Sequence, residues 1–150
     1  MDTLIIFAER LNGLMTETGT DVKKLSENTD LHMSDIYHWL SPNNKYMPNI
    51  CDLITLANYF KCSLDFITGL KEEYEYYQPN NQLPVFAEHF PKVVHDLGSN
   101  FYRLAKKAEF SSTATFYLWK SGKHLPHIES LIKVAKALDC SLDYLVGREN

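Results

Sequence analysis

Residues 48–70, PNICDLITLANYFKCSLDFITGL, recur as residues 126–148, PHIESLIKVAKALDCSLDYLVGR. The offset is 78, and ten of the 23 aligned positions are identical: Pro48/Pro126, Ile50/Ile128, Leu53/Leu131, Ile54/Ile132, Ala57/Ala135, Cys62/Cys140, Ser63/Ser141, Leu64/Leu142, Asp65/Asp143 and Gly69/Gly147. Upstream the match continues at offset 79 with Phe7/Phe86, Ala8/Ala87, Glu9/Glu88, Gly19/Gly98 and Leu25/Leu104. The shared positions are mostly apolar residues at helical spacing, together with residues that cap helices. A period this long is not that of a solenoid repeat, so the chain reads as two small domains in tandem, over 1–70 and 83–150, with a linker over 71–82.

The periodicity is helical throughout. In the first copy Leu4, Phe7, Ala8, Leu11, Leu14 and Met15 form an apolar stripe that Gly19 ends. Helices are expected over about 21–28 with Asp21 as N-cap, 33–40, 49–60, and a short one after Ser63 that Gly69 closes. In the second copy they are expected over 84–97, 100–108, 112–120, 127–138 and 141–146, with a kink or split at Pro91. Pro79, Asn80 and Asn81 predict a non-helical stretch, whereas KEEYEYY before them could extend the preceding helix. No β-sheet is expected.

Composition narrows the function. Hydrophobic residues make up 45% and charged residues 23%, as in a globular protein, and no apolar run is long enough for a membrane span. MDTLIIFAERL lacks the basic start of a signal peptide, so a cytoplasmic protein is expected. Three cysteines without a CxxC pair favour neither a disulfide framework nor a zinc site; Cys62 and Cys140 read as small buried hydrophobes just after a helix. There is no Gly-rich phosphate loop, HExxH or G-x-S-x-G, so no enzyme and no cofactor are expected. His124 and His127 gain no third ligand at a useful spacing, and no metal site is expected. The net charge of −4 is unevenly divided. Residues 1–75 carry six basic and 12 acidic groups, net −6; residues 76–150 carry nine and seven, net +2. A polyanionic partner should prefer the second copy.

The middle of that copy, NFYRLAKKAEFSSTATFYLWKSGKHLP, contains Leu104, Ala105, Phe110, Ser111, Phe116, Trp119, Gly122 and Pro126, followed by Leu131, Ala135, Leu138, Ser141, Leu142, Asp143, Leu145 and Gly147. This resembles the lambda-repressor-like (Cro-type, XRE) helix-turn-helix family, whose pattern runs L-A-x-x-x-G-V-S-x-x-x-I-S-x-W-x-x-G-x-x-x-P, then L-x-x-L-A-x-A-L and S-L-D-x-L-L-G. The resemblance covers nearly the whole chain, twice. It implies an all-α protein of two tandem five-helix domains.

The departures are specific. Asp30 and Glu109 stand where the family has its turn glycine, so a non-glycine residue must take that conformation. Val22 and Phe101 stand where a polar, phosphate-touching residue usually opens the second helix. Copy two has one extra residue between Phe110 and Trp119; copy one has two before Pro48, with Pro42 in place of the loop glycine.

The resemblance implies a sequence-specific transcriptional regulator that places its third helix in the major groove of double-stranded DNA. In copy two the candidate contacts are Ser111, Ser112, Thr113, Thr115 and Tyr117, with Lys120, Lys123 and His124 near phosphate. In copy one they are Met33, Ser34, Tyr37, His38 and Lys45, with Asp35 among them. Copy one is therefore expected to be the weaker reader and to pair protomers or hold a regulatory protein. Tyr74, Tyr76 and Tyr77 could form a partner patch or cover the seam between domains. Lys106 and Lys107 could touch phosphate or form a solvated face. Trp39 and Trp119 are expected in the core. The reading from a different class is a helix-turn-helix-derived protein-interaction adaptor with weak or no DNA binding, which the acidic first copy favours.

Overall fold

In the computed structural model, residues 2–79 and 82–149 are described; Asn80 and Asn81, part of the expected non-helical stretch, lie outside them. The described residues are all-helical, with ten helices and no strand. None of these helices is long and apolar enough to cross a membrane. The chain divides into two compact units, Met1–Gln78 and Pro79–Asn150.

Unit one holds α1 (Thr3–Thr18), α2 (Val22–Thr29), α3 (Met33–Leu40), α4 (Ile50–Phe60) and α5 (Leu64–Thr68). Asp21 and Ser63 cap as expected, and Asn49, expected as the first helical residue, is the N-cap of α4. Asp21 accepts from the Lys24 amide at 2.8 Å, Asn49 from Asp52 at 2.8 Å and Ser63 from Phe66 at 3.0 Å. Each occupies one of the donors a helix start leaves unpaired. α1 packs on α3 and α5, α2 on α3 and α4, and α4 on α5. Phe7, Leu11, Leu25, Ile36, Leu53, Leu56 and Ile67 are fully enclosed between them, a mainly aliphatic core.

Beyond Gly69 the chain leaves the helix. The alternative that KEEYEYY extends it is overturned: the Lys71 amide turns back to the Asp65 carbonyl at 3.0 Å, and the Tyr77 amide reaches the Lys61 carbonyl at 2.9 Å. Tyr74 sets its ring edge-on against Phe66 and donates its hydroxyl to the Lys61 carbonyl at 3.0 Å. Tyr74 thus packs on unit one itself, and the backbone at Tyr77 returns to the end of α4.

Unit two repeats the plan with α6 (Phe86–Asp96), α7 (Phe101–Lys107), α8 (Ala114–Ser121), α9 (Ile128–Leu138) and α10 (Leu142–Val146). α6 packs on α8 and α10, α7 on α9, and α9 on α10. α6 runs through Pro91 without being split. The missing proline amide removes one intrahelical bond, while Phe90, Val93 and Val94 beside it are buried and hold the helix in place. The core differs in kind from that of unit one. Phe86, Phe90, Phe101, Phe110, Phe116 and Trp119 form one aromatic cluster with centroids 4.9–6.4 Å apart. Offset and edge-on contacts of this kind add to the stabilisation from apolar burial.

The repeat is also written in the backbone. Asp30 and Glu109 take φ of 62° and 63°, the left-handed conformation expected of them in place of glycine. Lys61 and Asp139, at the ends of α4 and α9, both take 54°. Trp39 and Trp119 are buried as expected. Cys62 is buried, but Cys140 is only half-buried and Cys51 is exposed.

Candidate functional site

The eight residues of α8 are anchored from below. Phe116 and Trp119 are buried in the aromatic cluster. At 100° per residue the opposite side of the helix carries Ala114, Tyr117, Leu118 and Ser121, all exposed. In unit one, Ile36 and Trp39 anchor α3 in the same way, and Ser34, Tyr37 and His38 face outward. At offset 80 the two outward strips align as Ser34/Ala114, Tyr37/Tyr117 and His38/Leu118. The tyrosine is retained; its neighbours are polar in one unit and apolar in the other.

The expected start of the helix at 112 is therefore corrected. The extra residue of copy two is taken up in the turn: α8 begins at Ala114, and Ser111 and Ser112 lie exposed ahead of it. The Ser112 hydroxyl accepts from the Ala114 amide at 3.2 Å, while Thr113 is half-buried at the N-cap position and makes no capping bond.

Thr113, Tyr117 and Lys120 come together on one wall of an open cleft of about 560 Å³. Asn100, Phe101 and Tyr102 from the start of α7 face them. Phe101 is turned inward, stacked on Phe90 at 5.5 Å with Tyr117 edge-on at 5.1 Å. It orients Tyr117 and has no polar group of its own to offer a phosphate. Thr115 is half-buried on the other flank of α8, beside Leu118, His124 and Leu125 in a cavity of about 200 Å³. Lys123 and His124 are exposed in the loop after Gly122, where the Lys123 amide donates to Ser121 Oγ at 3.3 Å. Among the described residues no ion pair engages Lys120 or Lys123. Lys106 lies over the Tyr102 ring at 4.7 Å, so this one of the three α7 cations is partly committed within its own helix.

Two outward residues, Ala114 and Leu118, escape a reading that looks for hydrogen-bonding side chains. The signal for them is the pair of buried anchors: a helix that buries 116 and 119 must expose 114 and 118.

In unit one Met33, Ser34, Tyr37 and His38 are exposed on α3 and Lys45 in the following loop. Asp35 is half-buried on its flank. Burial, and secondarily the charge of Asp35, raises the Asp52 carboxyl above its ordinary range, while His32 opposes the shift. In unit one the Asp35 and Asp52 carboxylates are thus near enough for the charge of one to disfavour that of the other.

Among the described residues no group of histidine, cysteine and acidic side chains is arranged to hold a metal ion. No family model matches the chain, and searches of curated proteins and of solved structures return no match.

Proposed function

We propose that this chain is a sequence-specific DNA-binding transcriptional regulator, acting as a repressor, built from two tandem lambda-repressor-like helix-turn-helix domains. The observation that carries the reading is α8: a helix of eight residues, anchored by Phe116 and Trp119, with an exposed outward strip and with Lys120 and Lys123 at its end, outside any ion pair among the described residues. Such a helix is about 12 Å long, close to the width of the major groove. Its lysines are placed to neutralise phosphates, a term that is independent of sequence and sensitive to salt. The left-handed Asp30 and Glu109 and the paired burial of Trp39 and Trp119 also agree with the family pattern in both units.

The test is selection of duplexes from a randomised library by the full chain at about 50 mM salt, beside the Lys120→Ala/Lys123→Ala variant. An enriched motif that the variant loses, with affinity falling steeply toward about 200 mM salt, supports the reading. No enrichment by folded wild-type protein refutes it.

One observation favours the protein-interaction adaptor. Unit one carries Asp35 on α3 between Met33 and Tyr37, with Asp52 near enough to feel its charge, in a half of the chain with net charge −6. Carboxylates facing phosphate are repelled, so unit one is assigned the protein-binding or protomer-pairing role and unit two the DNA.

A further inference from the structure

The outward strip of α8 is unusual for a base-reading surface. Ala114, Tyr117, Leu118 and Ser121 include no guanidinium, carboxamide or carboxylate. Those are the groups that discriminate guanine, adenine and cytosine through paired or directed hydrogen bonds in the major groove. The strip offers a methyl group, an isobutyl group, a phenol and a hydroxyl. Leu118 is 42% exposed and Tyr117 56%. Leu125, in the loop that follows, is 59% exposed. Ala114 and Leu118 stand four residues apart, so they are neighbours on the helix surface, about 5–6 Å between Cβ atoms.

Only one base presents an apolar group in the major groove: thymine, with its C5-methyl. On the basis of the DNA-binding reading above, we infer that unit two recognises thymine methyl groups through Ala114 and Leu118, and hence an A·T-rich half-site. Lys120 and Lys123 beside the strip supply the charge complementarity that selects a polyanion over an apolar protein surface as its occupant. The Tyr117 hydroxyl and the exposed Ser111 and Ser112 are adaptable donors or acceptors that add contacts without fixing a base. The counterpart strip of unit one, Ser34, Tyr37 and His38, has no apolar group at the positions of Ala114 and Leu118, so methyl recognition belongs to unit two alone.

The experiment uses the full chain and the duplex enriched from the randomised library. Each thymine of the half-site is replaced in turn by deoxyuridine, which deletes the methyl and keeps the pairing. Binding is compared for wild type and Leu118→Ala. The expected result is an A·T-rich half-site in which one or two replacements each weaken wild-type binding about fourfold, the value of one buried methyl-sized group. Leu118→Ala should bind the thymine duplex correspondingly less well and lose the preference for thymine over uracil at one position. Because Leu118 is exposed, its unfolding midpoint should match that of wild type, which separates lost recognition from lost fold. A G·C-rich motif, or deoxyuridine replacements without effect, overturns the inference and leaves DNA binding standing. Absence of any enriched motif overturns both.

Discussion

Arg10 in α1 and Phe66 in α5, 56 positions apart, are joined twice: Arg10 Nη1 donates to the Phe66 carbonyl at 2.8 Å, and the guanidinium lies over the Phe66 ring at 4.3 Å. The same nitrogen donates to the Lys71 carbonyl at 3.0 Å. The counterpart in unit two is His89, whose Nε2 donates to the Tyr144 carbonyl at 3.1 Å. In both units a side chain of the first helix adds a second donor to a carbonyl of the last, short helix, beside the capping amide of Gly69 or Gly147.

Arg10→Ala is expected to destabilise unit one by about 1–3 kcal/mol, since it takes the charged donor from the part-buried Phe66 carbonyl and removes the cover over the Phe66 ring. Arg10→Lys should recover less than half of that, because an ammonium lacks the planar fork. Urea denaturation followed by circular dichroism measures both. Equal stability of Arg10→Lys and wild type would refute the account.

Gly69 and Gly147 take φ of 88° and 90°, and a Cβ there would run into Ile6 and Pro84 respectively. Gly98 has φ of 76°, but a Cβ there would meet nothing. Alanine at 69 or 147 should therefore cost more than alanine at 98, about 2–4 kcal/mol against about 1–2 kcal/mol. Thermal unfolding of the three variants gives the ranking.

Replacing the left-handed residues by glycine should act in the opposite direction. Glu109→Gly is expected to stabilise unit two by about 0.5–1 kcal/mol, because relief of the left-handed strain exceeds the entropy glycine adds to the unfolded chain. Asp30→Gly should gain less, since aspartate tolerates this conformation better than glutamate. A larger gain at Asp30 would contradict this.

The raised carboxyl of Asp52 makes stability depend on pH. Its folded-state pKa lies above the unfolded value, so the native state holds the proton more tightly and stability falls as pH rises through the carboxylate range. Asp52→Asn should then raise the unfolding midpoint at pH 7, and the gain should vanish below the ordinary carboxyl range. Desolvation is the larger cause and Asp35 the second, so Asp35→Asn should reproduce only part of the effect.

Much of the fold is legible in the residues that cap and anchor it. Asp21, Ser63, Gly19 and Gly69 mark helix ends where the structure has them, and the two tryptophans announce their burial by helical spacing. The return of residues 71–77 onto unit one is not legible. It rests on Arg10 and Lys61, whose contacts follow no local period. The unsplit α6 likewise depends on burial around Pro91, which a local rule does not weigh. At the site, the extra residue between Phe110 and Trp119 is absorbed in the turn, which moves the start of α8 from the expected 112 to Ala114. Ala114 and Leu118 carry no hydrogen-bonding side chain and give no polar signal; their outward position follows from the buried Phe116 and Trp119.

The two buried tryptophans have a practical consequence. Trp39 sits beside Phe7 in unit one and Trp119 within the aromatic cluster of unit two, and the chain contains no other tryptophan. Each unit therefore carries its own intrinsic fluorophore in a dry, asymmetric setting. Emission from Trp39→Phe and Trp119→Phe proteins would follow the melting of one half at a time, so the autonomy of each half can be watched without cutting the chain.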